Sequence, residues 1–164
     1  MRGLLVALLA LVLTACSSSS PQETPPPVSR VLHISTAGQL NPYGGENSHP
    51  VVLRLYQLSE AGTFRNAEFL DLYKNDQQVL ASTLVDTLYL DPMLPATDQQ
   101  INIDVHFRSR YLAVFAEFSE YENAVSRALL KLDESNDDQE FKIEVTGLRV
   151  TLVTQPEKSW WQKL

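Results

Sequence analysis

The residue best placed for covalent chemistry is Cys16, the only cysteine among the 164 residues of the chain. Residues 13–16 read LTAC, an apolar run occupies residues 4–13, and Arg2 precedes that run. A positive residue, a short apolar stretch and small residues before a cleavage point are typical of a secretory signal peptide. With a cysteine directly after them, these features predict a bacterial lipobox, in which the Cys16 thiol is acylated and the leader is removed.

The leader is too short to span a membrane. Its ten apolar residues extend about 15 Å as a helix, half of the roughly 30 Å hydrocarbon core of a bilayer. Residues 1–15 are therefore predicted to be a signal peptide, and the lipid on Cys16 to be the anchor. Ser17 follows the cysteine in place of an aspartate that would signal inner-membrane retention. This favours an outer-membrane, lipid-anchored protein that faces the periplasm.

Composition separates a linker from one domain. Residues 17–29 read SSSSPQETPPPVS and hold too few apolar side chains to pack, so residues 16–29 are predicted to be the lipidated cysteine with a flexible linker. Residues 30–155 then form one domain and residues 156–164 a C-terminal tail. The formal net charge of −7 argues against a nucleic-acid partner. Without a second cysteine, the domain must be held together by its core.

Period-two alternation dominates the domain and predicts an all-β fold. Residues 101–108 alternate apolar and polar side chains, with Phe107 as the last apolar member, which is the pattern of a half-buried strand. Residues 111–118 are apolar on both faces until Glu117, which predicts a strand covered on both sides. Shorter candidate strands lie at residues 31–34, 51–57, 87–90 and 127–132.

The last apolar segment changes face at Gly147. Its apolar side chains occupy odd positions from Phe141 to Val145 and even positions from Leu148 to Leu152. One added residue moves every later side chain to the opposite face of a strand. We therefore predict a β-bulge or sharp bend at Gly147, with a turn between two strands as the alternative.

One stretch has helical spacing instead. Phe64, Ala67 and Tyr73, with Phe69 or Leu70 between them, fall on one helical face, and Thr63 is placed to cap the first turn. A second short helix is expected around residues 79–84. Together the patterns predict an all-β protein, a two-sheet β-sandwich of about seven to eight strands with a short helical insertion after strand two.

The polar residues form no recognisable catalytic or metal-binding pattern. His33, His49 and His106 lie far apart without metal-ligand spacing, and no nucleophile motif surrounds a serine. The acidic run at residues 133–138 lacks the central glycine and spacing of a calcium loop, and a solvated turn explains it. We therefore predict a protein that is not an enzyme, with no metal, cofactor or small-molecule substrate. A periplasmic hydrolase or polysaccharide-binding module, which needs a deep pocket with converging carboxylates, is an alternative.

Two features indicate recognition. Residues 39–50 (QLNPYGGENSHP) form a twelve-residue connection between the first two strands, longer than a hairpin loop of about two to five residues. Tyr43 lies at its tip, and long loops on rigid sandwiches often bind partners, although a passive connection is equally open. Trp160 and Trp161 are either interface anchors or residues that pack onto the domain.

The order of these motifs resembles the TssJ (SciN) outer-membrane lipoproteins of the type VI secretion system. The resemblance rests on the lipobox, on residues 40–42 (LNP) and 48–58 (SHPVVLRLYQL), on the helical positions between residues 64 and 80, and on residues 112–118 (LAVFAEF). It covers nearly the whole chain in the same order. It departs from the family pattern at Glu46-Asn47, where many relatives carry an Arg-Pro or similar pair.

The resemblance implies a transthyretin-like β-sandwich that anchors the membrane complex of the secretion system at the outer membrane. It also implies a partner, the C-terminal periplasmic region of the inner-membrane protein TssM, and contact through the loop between strands one and two. By position, this loop consists of Asn41, Pro42, Tyr43, Gly44, Gly45, Glu46, Asn47 and Ser48. We expect a monomer in isolation and multiple copies in the assembled complex. A general envelope-assembly adaptor with another partner is the alternative.

Overall fold

Alternating apolar residues form eight strands, which build two four-stranded sheets. The computed structural model describes residues 24–45, 47–133 and 139–156. Its strands are β1 (Val28–Leu40), β2 (Leu53–Leu58), β3 (Leu84–Tyr89), β4 (Asp98–Val105), β5 (Tyr111–Ala116), β6 (Arg127–Lys131), β7 (Gln139–Gly147) and β8 (Arg149–Pro156). Two helices, α1 (Gly62–Asn66) and α2 (Phe69–Leu80), follow β2, and short 3₁₀ turns lie at Ala81–Thr83 and Tyr121–Asn123.

The first sheet has the strand order β4-β1-β7-β8 and the second has β3-β2-β5-β6. Neighbouring strands are antiparallel except for β1 and β7, which run parallel over the register Leu32–Phe141 to Thr36–Val145. The predicted all-β, two-sheet sandwich of about eight strands with a helical insertion after strand two is confirmed.

Two apolar cores hold the layers together. The first lies between the sheets and is formed by inward-facing residues such as Leu32, Leu55 and Ile143. The second lies on the outer face of the second sheet, where Tyr56, Phe115 and their neighbours pack against the helices. Because β2 and β5 contribute to both cores, their side chains are buried on both faces, as the run at residues 111–118, apolar until Glu117, predicts for β5.

The prediction of a β-bulge at Gly147 is wrong, and the alternative of a turn is correct. β7 and β8 form an antiparallel hairpin in which Thr146 pairs with Arg149 and Val145 with Val150. Gly147 turns the chain with φ +58°, a conformation that glycine adopts without steric cost. Val145 and Val150 are directly opposed partners and therefore point to the same core, which explains why the apolar positions change parity at the turn.

Details at the ends of two elements also differ from the sequence-based expectation. β4 ends at Val105, and Phe107 lies beyond it with 40% of its surface exposed. The helical insertion is two helices, and Thr63 does not cap the first, since its N-cap is Ala61 without a side-chain hydrogen bond. Tyr73 of the predicted apolar face is 47% exposed, because α2 turns Leu72 and its helical neighbours at four-residue spacing toward the sheet.

Cys16, the acidic residues 134–138 and the pair Trp160 and Trp161 lie outside the described residues, so their predicted roles stay predictions. Within the described part of the chain, no helix is long and apolar enough to cross a membrane.

Candidate functional site

The loop after β1 is fastened at its base by backbone and hydroxyl hydrogen bonds. The Ser48 hydroxyl donates to the carbonyl oxygen of Gly38 at 2.9 Å and accepts from the amide of Leu40 at 3.2 Å. The amide of His49 donates to the carbonyl of Leu40 at 2.9 Å. These bonds close the loop on itself across its base, so that the residues between Leu40 and Ser48 leave the sandwich and return at the same place.

Asn41 connects this base to two other parts of the molecule. It is 3% exposed, and its side-chain amide donates to the carbonyl of Pro50 at 2.8 Å. Its side-chain oxygen accepts from the amide of Ser119 at 2.9 Å, and its own amide donates to the carbonyl of Gly147. Its φ of +43° is in the left-handed region, where asparagine is among the most favourable non-glycine residues. Asn41 therefore lies beneath the loop and holds the base of the loop in position.

We expect Asn41→Ala to lower the free energy of unfolding by about 2–4 kcal/mol, because it leaves the carbonyl of Pro50 and the amide of Ser119 without their partner and puts alanine at positive φ. Chemical denaturation measures the change. Asn47→Ala, at an exposed position of the same loop, is the matched control and should change it by less than about 0.5 kcal/mol. Equal stabilities of the two variants would contradict the assigned place of Asn41.

The tip of the loop is exposed. Tyr43 has 59% of its surface accessible, and Gly44 and Gly45 follow with φ values of +67° and +129°. Both values lie where side chains with a Cβ are strained, so the two glycines set the turn that presents Tyr43. Asn47 is also exposed, and Glu46 lies outside the described residues. Of the predicted contact residues that the structure describes, Asn41 and Ser48 form the base of the loop, and the others lie in its projecting part.

Beside the base of the loop, Arg54 organises a buried ion-pair network that the sequence analysis did not identify. Its guanidinium donates to the carboxylate of Glu117 at 2.6 Å and to that of Asp76 at 3.0 Å. The carbonyls of Leu72 and Tyr73 accept two further bonds at 3.2 and 3.0 Å. A strand residue thus joins the end of β5 to the middle of α2.

Asp76 is the acceptor at the centre of this network. Its carboxylate receives hydrogen bonds from the hydroxyls of Tyr56 at 2.8 Å and Tyr89 at 3.1 Å and from the amide of Gln77 at 2.8 Å. Burial alone would raise the pKa of the Asp76 carboxyl, but its hydrogen bonds, led by those from Tyr56 and Arg54, lower the pKa below its ordinary value. Burial and the bond to Asp76 raise the pKa of Tyr56 far above its ordinary value, so Tyr56 stays a neutral donor.

The charged groups of this network form ion pairs with one another. Burial by itself would lower the pKa of Arg54, and its hydrogen bonds with Glu117 and Asp76 reverse the effect and raise it. The rings of Tyr73, Tyr89 and Phe115 surround the guanidinium at 5.7, 5.6 and 5.8 Å. The arrangement therefore fixes α2 and the end of β5 in place.

The rest of the described surface offers no cluster of metal ligands, since the described residues contain no group of three or more histidine, cysteine or acidic side chains that could hold an ion. His33 bonds to Glu140 at 2.6 Å. A groove of about 540 Å³ lies at the end of the sandwich where β1 begins. Its lining is half apolar and half polar, and Asp133 is its one carboxylate-bearing residue among those described.

The fold and the site define a class of protein, a rigid two-sheet β-sandwich that presents a loop from a fastened base. A family model described as "Type VI secretion lipoprotein, VasD, EvfM, TssJ, VC_A0113" matches residues 29–148. The chain therefore belongs to the type VI secretion lipoprotein family, and the resemblance inferred from the sequence is confirmed. No protein with a curated description matches the chain significantly.

Solved structures with the same fold agree with this assignment. The lipoprotein TssJ1 of the type VI secretion system from Pseudomonas aeruginosa is 24% identical, with a TM-score of 0.73 over 80% of this chain and 98% of that chain. Serratia marcescens Lip, a membrane-bound component of the type VI secretion system, is 22% identical, with a TM-score of 0.69 over 76% and 96%. A chain from a structure of the TssM C-terminal domain from EAEC is 25% identical, with a TM-score of 0.64 over 76% and 99%. The predicted TssJ-like, transthyretin-like sandwich is confirmed.

Proposed function

We propose that this protein is anchored in the outer membrane by the lipid on Cys16 and tethers the type VI secretion membrane complex by binding the periplasmic C-terminal region of TssM. The observation that carries this proposal is the loop at residues 41–48, which is fastened at its base and exposed at its tip. Two findings support it. The chain belongs to the type VI secretion lipoprotein family, and a structure of the TssM C-terminal domain contains a chain with this fold.

The geometry of the loop suits a binding role. Ordering a loop on association costs free energy, and a loop that is already fixed at its base avoids part of that cost. Tyr43 supplies a large, amphipathic side chain at the tip, the residue type that is enriched among interface residues with large binding contributions. Gly44 and Gly45 leave the backbone beside Tyr43 open to close approach by a partner.

The chain between the anchor and the fold sets the reach of the tether. β1 begins at Val28, so eleven residues, 17–27, separate it from Cys16. In an extended form they cover about 34 Å at roughly 3.1 Å per residue. The chain enters β1 at Val28 and leaves it at Leu40, where the loop begins, so the linker and the loop join opposite ends of the same strand. The proposed binding loop therefore lies at the end of the sandwich opposite the start of β1, the end at which the chain from the proposed anchor joins the fold.

The test is the affinity of the purified protein for the periplasmic C-terminal region of TssM, measured by calorimetry. Tyr43→Ala is expected to weaken binding about tenfold or more, because a well-packed tyrosine at an interface contributes more than 1.4 kcal/mol. Phe107→Ala is the matched control, since Phe107 is 40% exposed but lies beyond the end of β4, outside the loop and the Arg54 network. Removal of residues 43–47, which keeps Ser48 for the base, should abolish binding without lowering the thermal transition. Full affinity after that removal would contradict the proposed site.

A further inference from the structure

A groove of about 280 Å³ lies beside the loop and has no part in the binding site proposed above. It is bounded by Phe69 and Tyr73 on α2 and by Ser119 and Tyr121 on the segment after β5. Ser119 also donates its amide to the side chain of Asn41 beneath the loop. The groove therefore begins where the loop is fastened, and a partner that covers the loop meets the groove next.

The floor of the groove is a row of parallel aromatic rings. Phe69 stacks on Tyr121 with ring centroids 4.4 Å apart and planes 8° from parallel, and on Tyr73 at 6.2 Å and 10°. Phe69 also packs on the buried ring of Phe115 at 4.9 Å, which ties the row to the core. Tyr73 is 47% exposed and Leu70 40% exposed. Aromatic surface is thus held rigid and left open to solvent.

The rim of the groove is acidic. The segments 68–73 (EFLDLY) and 117–122 (EFSEYE) together contain five carboxylates and no lysine or arginine. Lys74 directly follows the first segment. Glu117 lines the groove and pairs with Arg54, whereas Glu68 and Glu122, next in the chain to the groove residues Phe69 and Tyr121, are exposed. A negative rim beside exposed aromatic surface is complementary to a cationic side chain, because the carboxylates attract its charge and the exposed rings pack against its apolar stem.

We propose that this aromatic groove is a second contact surface for the partner that the loop binds, and that it takes an arginine or lysine side chain of that partner. The proposal rests on the proposed function, since the same partner covers both surfaces. A purely apolar segment would leave the acidic rim without compensation. A second copy of this chain, with a net charge of −7, would bring like charge to it.

The experiment uses the purified protein and the periplasmic C-terminal region of TssM. Tyr73→Ala is expected to weaken binding about tenfold, and Phe107→Ala, which removes a ring of similar exposure beyond the end of β4, away from the Arg54 network, is expected to leave it unchanged. Glu122→Lys should weaken binding about fivefold or more and reduce its dependence on salt. Asp104→Lys, at an exposed position on β4 in the other sheet, is the control for charge. Hydrogen exchange of the native complex should show protection at residues 69–73 and 117–122.

The outcomes separate the groove from the loop. If Tyr43→Ala weakens binding while Tyr73→Ala and Glu122→Lys behave like their controls, the groove proposal is overturned and the proposed function stands. If the native protein does not bind the TssM region at all, both proposals fail. Should Tyr73→Ala lower the thermal transition, Glu122→Lys still decides the matter, because Glu122 is exposed and makes no described contact with the core.

Discussion

Cys16→Ser, placed behind a signal peptide that is cleaved without lipidation, is expected to move the protein from the membrane fraction to the soluble periplasmic fraction. Each buried methylene of an acyl chain contributes about 0.8 kcal/mol to membrane attachment, and two or more chains make the attachment stable. Removal of the thiol removes every chain that depends on it. Cell fractionation with an immunoblot measures the distribution. Ser17→Ala, one residue further along, is the matched control and should stay with the membrane.

The same variant separates anchoring from binding. Cys16 lies before the described fold and far along the chain from the loop at residues 41–48, so the affinity for the TssM region should stay within about twofold of the native protein. Secretion in cells should nevertheless be lost, because a tether needs both of its ends. Secretion at the native level by a soluble, folded variant would show that the anchor is dispensable and would overturn the tether model.

Arg54→Met is expected to lower the free energy of unfolding by about 3 kcal/mol or more. Removing one partner of a buried ion pair leaves the other charges without compensation, which typically costs about 3–5 kcal/mol. In this protein it leaves the buried carboxylate of Asp76 and the partly buried one of Glu117 without a cation, and two main-chain carbonyls of α2 lose their donor. Chemical denaturation measures the loss. Arg108→Met, at an exposed turn position, should change stability by less than about 0.5 kcal/mol.

The same network predicts how stability changes with pH. The pKa of Asp76 is lower in the fold than its ordinary value of 3.8, so its stabilising effect is complete above that value and is lost as the pH falls through the folded-state pKa. The native protein should therefore lose stability below about pH 4. Asp76→Asn, being already uncharged, should be less stable at neutral pH and should approach the native protein as the pH falls. A constant difference between the two at all pH values would contradict this assignment.

Residue patterns predicted most of the sandwich because burial on one face of a strand leaves a period-two record in the sequence. Residues 111–118 indicated a strand covered on both faces, and β5 contributes to both cores. The sequence showed that the apolar side chains change from odd to even positions at Gly147. It did not show whether a bulge or a hairpin causes the change, because a bulge and a two-residue hairpin both shift the apolar positions in this way. The register of β7 against β8 decides between them, and register depends on contacts between strands.

The candidate site was likewise predicted only in part from the sequence. The composition of residues 39–50 indicated a long, turn-rich loop, and the family resemblance supplied its proposed partner. That Asn41 lies beneath the loop could not be read locally, because its partners Pro50 and Ser119 are nine and 78 residues away. The network around Arg54 left one local signal. Leu72, Asp76 and Leu80 recur at four-residue spacing, which places a carboxylate on the buried face of α2.

By itself, the sequence determined the predicted lipid anchor at Cys16, the alternating strands and the loop that interrupts them, because each depends on neighbouring residues along the chain. Only the tertiary structure decided which side chains and backbone groups contact one another. In the fold, Tyr73 lines an aromatic groove and Arg54 pairs with the carboxylates of Asp76 and Glu117. Asn41 bonds the base of the loop to the segment after β5. These features join residues far apart in the chain, and packing, rather than local preference, brings such residues together.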